Sequence, residues 1–129
     1  MDGVLFVCVE NAGRSLMAEA FMKKYAPYVR VASAGTRPAP RPNETVVQAM
    51  REVGIDVDKT PAALTAEMLR SGSQVVNMGC MDSSECPALF VDGVEDWAMP
   101  DPKGQTIEEV RRIRDMIEAR VRELAGRPD

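Results

Sequence analysis

Histidine is absent from the 129 residues, and cysteine occurs only three times. The missing imidazole removes the commonest general base and any Ser-His or Cys-His pair. With three thiols as the only soft ligands, no metal and no cofactor are expected. Three is also too few, and odd, for a secreted disulfide scaffold. The expected compartment is the reducing cytoplasm, where thiols persist as catalytic, redox or buried groups. Aromatic residues make up 5% of the chain, and no apolar run approaches the length of a membrane span. The amino terminus runs into a core strand instead of a leader pattern, so no membrane partner is expected. Basic charge is short too: the net charge of −4 makes nucleic acid a poor partner.

What is present, 45% apolar and 28% charged residues, fits one globular domain over residues 1–129. Residues 4 to 8 read as a short buried strand, and apolar residues at three- and four-residue spacing predict a helix from Ser15 to Ala26, stopped by Pro27. A second strand is expected at 29–32, and Asn43 caps a helix reaching Val53 before Gly54. A short helix after Thr65, a strand at 74–78 and a weaker one at 95–99 follow. Thr106 and Glu109 make a capping-box pattern ahead of a helix carrying Val110, Ile113, Ile117, Val121 and Leu124, closed by Gly126. Strands alternating with amphipathic helices imply right-handed crossovers. The expected fold class is α/β: a four-stranded parallel sheet flanked by helices on both faces. Ligands bind such sheets beyond the carboxyl ends of the strands.

The segment "CVENAGRS", residues 8–15, lies at that edge. A loop between a strand and a helix amino terminus offers unpaired N–H groups and the positive end of the helix dipole, which suits an oxyanion. The expected cradle is Glu10, Asn11, Ala12, Gly13, Arg14 and Ser15. Gly13 relaxes the backbone, Arg14 clamps two oxygens, and Asn11 ties the loop to itself. Glu10 should turn its carboxylate away and contribute only its N–H. Cys8 shares the field that attracts the anion and receives the Ser15 hydroxyl, so it is expected to be a nucleophile. The pattern Cys-x5-Arg-Ser/Thr has about 0.02 chance matches at this composition.

Such a thiol suffices for phosphate-ester hydrolysis. Reducing an oxyanion requires two more electrons, which a pair of thiols supplies on becoming a disulfide. Cys80 and Cys86 are therefore spectators in one reading and essential in the other. Cys80 follows the third strand and should emerge at the edge that holds Cys8, with "CMDSSEC" as a mobile loop for Cys86. Asp101, in "MPDPKG", is the candidate general acid. Trp97 reads as a core or loop anchor. A noncatalytic redox or oxyanion sensor is a third reading.

Together "CVENAGRS" with "MAEAF", "SAG" at 33–35, "MGCMDSSECP" and "EDWAMPDPKG" resemble the low-molecular-weight tyrosine phosphatase-like superfamily, and within it the thioredoxin-coupled arsenate reductases. The first block is common to both branches, and the cysteine pair resembles the reductase one. The phosphatase branch has an aromatic residue after its Asp-Pro, where this chain has Lys103 and Gly104. The resemblance implies Cys8 attacking arsenate with Asp101 as acid, then Cys80 and Cys86 passing a disulfide outward. Its implied partners are arsenate, phosphate as competitor, and thioredoxin or a similar thiol reductant.

Overall fold

The computed structural model describes residues 2–71, 73–79 and 93–127. The element order is β1 (Gly3–Cys8), α1 (Arg14–Tyr25), β2 (Arg30–Gly35), α2 (Glu44–Arg51), α3 (Ala66–Leu69), β3 (Gln74–Asn77), β4 (Glu95–Asp96) and α4 (Ile107–Ala125). The strands form one parallel sheet in the order β2-β1-β3-β4. The α/β class, the four parallel strands and the helices on both faces are as expected.

Strand β1 is central and wholly buried, and its alternation decides which layer each residue joins. Val4, Phe6 and Cys8 face the larger core with α1, α2 and α4, whereas Leu5 and Val7 face a smaller cluster containing Met68 and Leu69 of α3. Each large side chain removed from water, Phe6 or Ile113 for example, contributes on the order of 2 kcal/mol. Trp97 is an anchor, as expected: it is buried against Phe6, with ring centroids 5.7 Å apart, and Arg120 lies over its other side.

Two strand boundaries and one helix cap differ instructively from expectation. Strand β2 continues through "SAG" because Cys8 pairs with Gly35, whose N–H and carbonyl are engaged by Ala62 and Leu64. A Cβ at Gly35 would meet the Val9 carbonyl at 2.5 Å, so only glycine permits this approach. Strand β4 stops at Asp96, since Met99 N–H turns back to the Trp97 carbonyl. At α4, Thr106 Oγ accepts from Glu109 N–H, but the Glu109 carboxylate pairs with Arg112 rather than returning to the cap. The capping box is half made.

Glu95 secures the short β4 to the end of α4. Arg127 grips its two oxygens at 2.7 and 3.2 Å and Trp97 Nε1 donates to it. Chiefly through Arg127, the carboxyl is held below its ordinary value of 4.5. A depressed folded-state value gives stability that is present above 4.5 and lost as pH falls through the folded-state value. We expect urea midpoints of the wild type to fall more steeply on acidification below about pH 4.5 than those of Glu95→Gln. Parallel curves would contradict this. Glu52, held low chiefly by Arg111, keeps part of the slope in both.

Candidate active site

Cys8 ends β1, and the chain from Val9 to Gly13 turns over it into α1. The carbonyls of this loop are drawn outward. Those of Cys8, Val9, Glu10 and Ala12 accept from the N–H groups of Thr36, Arg37, Ala39 and Asn43. The N–H groups of Glu10, Ala12 and Gly13 have no such acceptor among the described residues, and Gly13 gives α1 no side-chain cap. Acceptors turned away and donors left over are the electrostatic signature of an anion cradle.

The Cys8 thiol is free and 2% exposed. Its sulfur lies 2.8 Å from Ser15 Oγ and accepts from Asn11 N–H at 3.3 Å. Asn11 sits at φ 51°, a left-handed conformation that asparagine tolerates better than most residues. Its side chain reaches beyond its own loop: Nδ2 donates to Ser15 Oγ at 2.7 Å and Ser33 Oγ at 2.9 Å, and Oδ1 accepts from Ala62 N–H at 2.8 Å. Both amide protons are thereby spent. Ser15 Oγ accepts from Asn11 and keeps its own proton available for a Cys8 thiolate.

Arg14 is 7% exposed. Its Nη1 donates to the Met99 carbonyl at 3.1 Å, and its Nη2 lies 3.7 Å from Asp101 Oδ2. Asp101 accepts from Lys103 N–H at 3.0 Å, which fixes the Asp-Pro turn. Pro102 packs on the loop, since a Cβ at Gly13 would meet its Cγ at 2.7 Å. The two segments enclose a cavity of about 750 Å³ that has Cys8 and Arg14 in its wall.

Glu10 is among the cavity-lining residues, and its carboxylate pairs with Lys103 Nζ at 3.2 Å, which neutralises it. Arg14, Arg37, Arg41 and Lys103 line the cavity against Glu10 and Asp101, so the local charge is positive although the whole chain is acidic. No aromatic side chain is among those lining residues.

The structure thus brings Cys8, Glu10, Asn11, Ala12, Gly13, Arg14, Ser15 and Asp101 to one place. Cys80 and Cys86 lie outside the described residues. Met78 and Gly79 are described, and Gly79 packs directly against the Arg14 guanidinium. Two contributors went unread in sequence, that glycine contact and Lys59. The ammonium of Lys59 reaches Ser33 and Glu19 behind the loop, and nothing in "IDVDKT" sets it apart from a solvated lysine. Among the described residues no group of three potential ligands could hold a metal ion, and no helix is long and apolar enough to cross a membrane.

Residues 3–127 match the family of low molecular weight phosphotyrosine protein phosphatases. A Halobacterium salinarum protein, provisionally described as an arsenate reductase, is 44% identical over 126 residues, spanning 92% of this chain and 87% of that protein. The Corynebacterium glutamicum thioredoxin-dependent arsenate reductase superposes with a TM-score of 0.77 at 36% identity, over 95% of this chain and 59% of that one. The YwlE arginine phosphatase from Geobacillus stearothermophilus superposes with a TM-score of 0.81 at 30% identity, over 97% and 91%.

Proposed function

The chain belongs to the low molecular weight phosphotyrosine protein phosphatase family, and on that premise we propose that it is an enzyme reducing arsenate to arsenite in the cytoplasm. The observation that carries the reading is the packing of Gly79 on Arg14. The next residue in sequence is Cys80, outside the described residues, and a thiol there is what the reductase reading needs. Hydrolysis has no use for it.

The cycle is the one implied by the resemblance to thioredoxin-coupled arsenate reductases, and its electrons balance. Cys8 thiolate attacks arsenic held by the loop N–H groups and Arg14, and a proton from Asp101 lets one oxygen depart as water. Cys80 thiolate then attacks the Cys8 sulfur. The S–As bond breaks toward arsenic, which takes the electron pair and leaves as arsenite, and a Cys8–Cys80 disulfide remains. Cys86 attacks Cys80, frees Cys8 and closes Cys80–Cys86, which a dithiol of the thioredoxin class reduces. Phosphate, also tetrahedral, competes for the cradle.

The test is arsenate-dependent NADPH oxidation with thioredoxin and its reductase, run beside hydrolysis of an aryl phosphate and of phosphoarginine. We expect arsenate turnover that vanishes in Cys80→Ser. In Cys86→Ser we expect one turnover and then a stalled Cys8–Cys80 link, visible by peptide mass. Sustained turnover by Cys86→Ser removes the relay. Brisk hydrolysis that is indifferent to Cys80→Ser, with no arsenate turnover by thioredoxin, glutaredoxin or small thiols, makes the protein a phosphatase.

A further inference from the structure

Behind the anion loop lies a buried polar line that the cycle above does not use. Lys59 Nζ donates to Glu19 Oε1 at 3.1 Å, to the Ser33 carbonyl at 2.8 Å and to Ser33 Oγ at 2.9 Å. Those are all the donors an ammonium has. Ser33 Oγ in turn accepts from Asn11 Nδ2 and donates to Glu19 at 2.6 Å. Glu19, Ser33, Asn11 and Ser15 are each buried.

Every proton in this line has one place to go. With Lys59 and Asn11 filling its lone pairs, the Ser33 hydroxyl must donate to Glu19. With Ala62 N–H on its oxygen, the Asn11 amide cannot flip. Its second proton is then committed to Ser15, and with Cys8 as a thiolate, which can only accept, the Ser15 proton goes to its sulfur. We propose that Lys59 is a positioning residue for the nucleophile: its cation balances Glu19 and orients Ser33, and through Asn11 it holds the Ser15 hydroxyl as a donor to Cys8.

Remove the ammonium and, among the described residues, the only other cation on Glu19 is the exposed Lys23, 3.5 Å from its other oxygen. A buried carboxylate with so little compensation pulls its hydroxyl partner toward itself or leaves its place. Either way Asn11 loses the fixed acceptor that spends its first amide proton. The groups facing Cys8 across the cavity, Arg14, Arg37, Arg41, Lys103, Glu10 and Asp101, are untouched by the change, so any effect on the thiol runs through the rear line.

The direct readout is the rate at which iodoacetamide alkylates Cys8 in the full chain at neutral pH, followed on the peptide that carries it. This measurement needs no substrate and stands apart from arsenate reduction. For Lys59→Ala we expect a fall of roughly tenfold, recovered largely in Lys59→Arg and in part, saturably, by added ethylammonium. An unchanged rate overturns the proposal, as does a loss that neither arginine nor ethylammonium repairs in a chain that melts like the wild type. Should Lys59→Ala not fold, Lys59→Met combined with Glu19→Gln removes the two charges as a pair. Slow alkylation there supports orientation by Lys59, and a wild-type rate overturns it.

Discussion

Cys8→Ser is expected to abolish arsenate reduction altogether and to leave phosphate bound within a few-fold of the wild-type affinity. The asymmetry follows from where the electrons come from. A serine alkoxide can attack a tetrahedral centre, and its oxygen can be esterified. An O–As bond nevertheless offers Cys80 no sulfur to attack, so no disulfide forms and arsenic keeps its oxidation state. Binding relies on other groups: the N–H donors of Glu10, Ala12 and Gly13, the amino end of α1 and the Arg14 guanidinium. Serine is smaller than cysteine by little, and Ser15 Oγ and Asn11 N–H can bond its hydroxyl in place of the sulfur. Coupled NADPH oxidation and phosphate titration by calorimetry check the two halves. Residual arsenate turnover above background in Cys8→Ser would remove Cys8 from the reaction. Loss of phosphate binding with turnover would mean that the thiolate itself organises the cradle.

The parts of the site legible in sequence are those whose chemistry is local. Cys8, Gly13, Arg14 and Ser15 lie within eight residues between an apolar run and a helical pattern, and strand, loop and helix dipole all act over that span. The parallel sheet was legible for a similar reason, because a buried strand and an amphipathic helix each announce themselves by period. The partner of Glu10 was not legible because Lys103 lies far along the chain from it. The reach of Asn11 was underestimated, since Ser33 and Ala62 become its neighbours only when β2 pairs with β1. Lys59 carried no signal, as an ammonium's importance depends on what folds around it. The length of β2 turned on the close approach of loop backbone to Gly35, which no propensity encodes.

Gly79 belongs to the same class, and its replacement separates folding from chemistry. A Cβ built there meets Arg14 Nη1 at 2.0 Å, Cζ at 2.3 Å and Nη2 at 2.7 Å. All three atoms are the far end of a long side chain, so the clash is relieved by swinging the guanidinium away and the backbone need not move. Gly79 sits at φ +157°, so alanine adds backbone strain, about 1 kcal/mol; Gly79→Ala is therefore expected to melt only modestly below the wild type while kcat/KM for arsenate drops at least about 100-fold, the loss typical of removing a preorganised donor from developing negative charge. Phosphate affinity should fall with it, because the bidentate clamp is lost from ground state and transition state alike. Gly54 gives the reverse case. It ends the α2 turn at φ +82° with nothing within 4 Å of a Cβ, so Gly54→Ala meets no atom and pays only backbone strain, about 1 kcal/mol. That variant should melt lower and turn over normally. If Gly79→Ala instead kept its activity, the docked position of Arg14 against Met99 and Asp101 would not be the reactive one, and the guanidinium would have to reach the anion from elsewhere in the cavity.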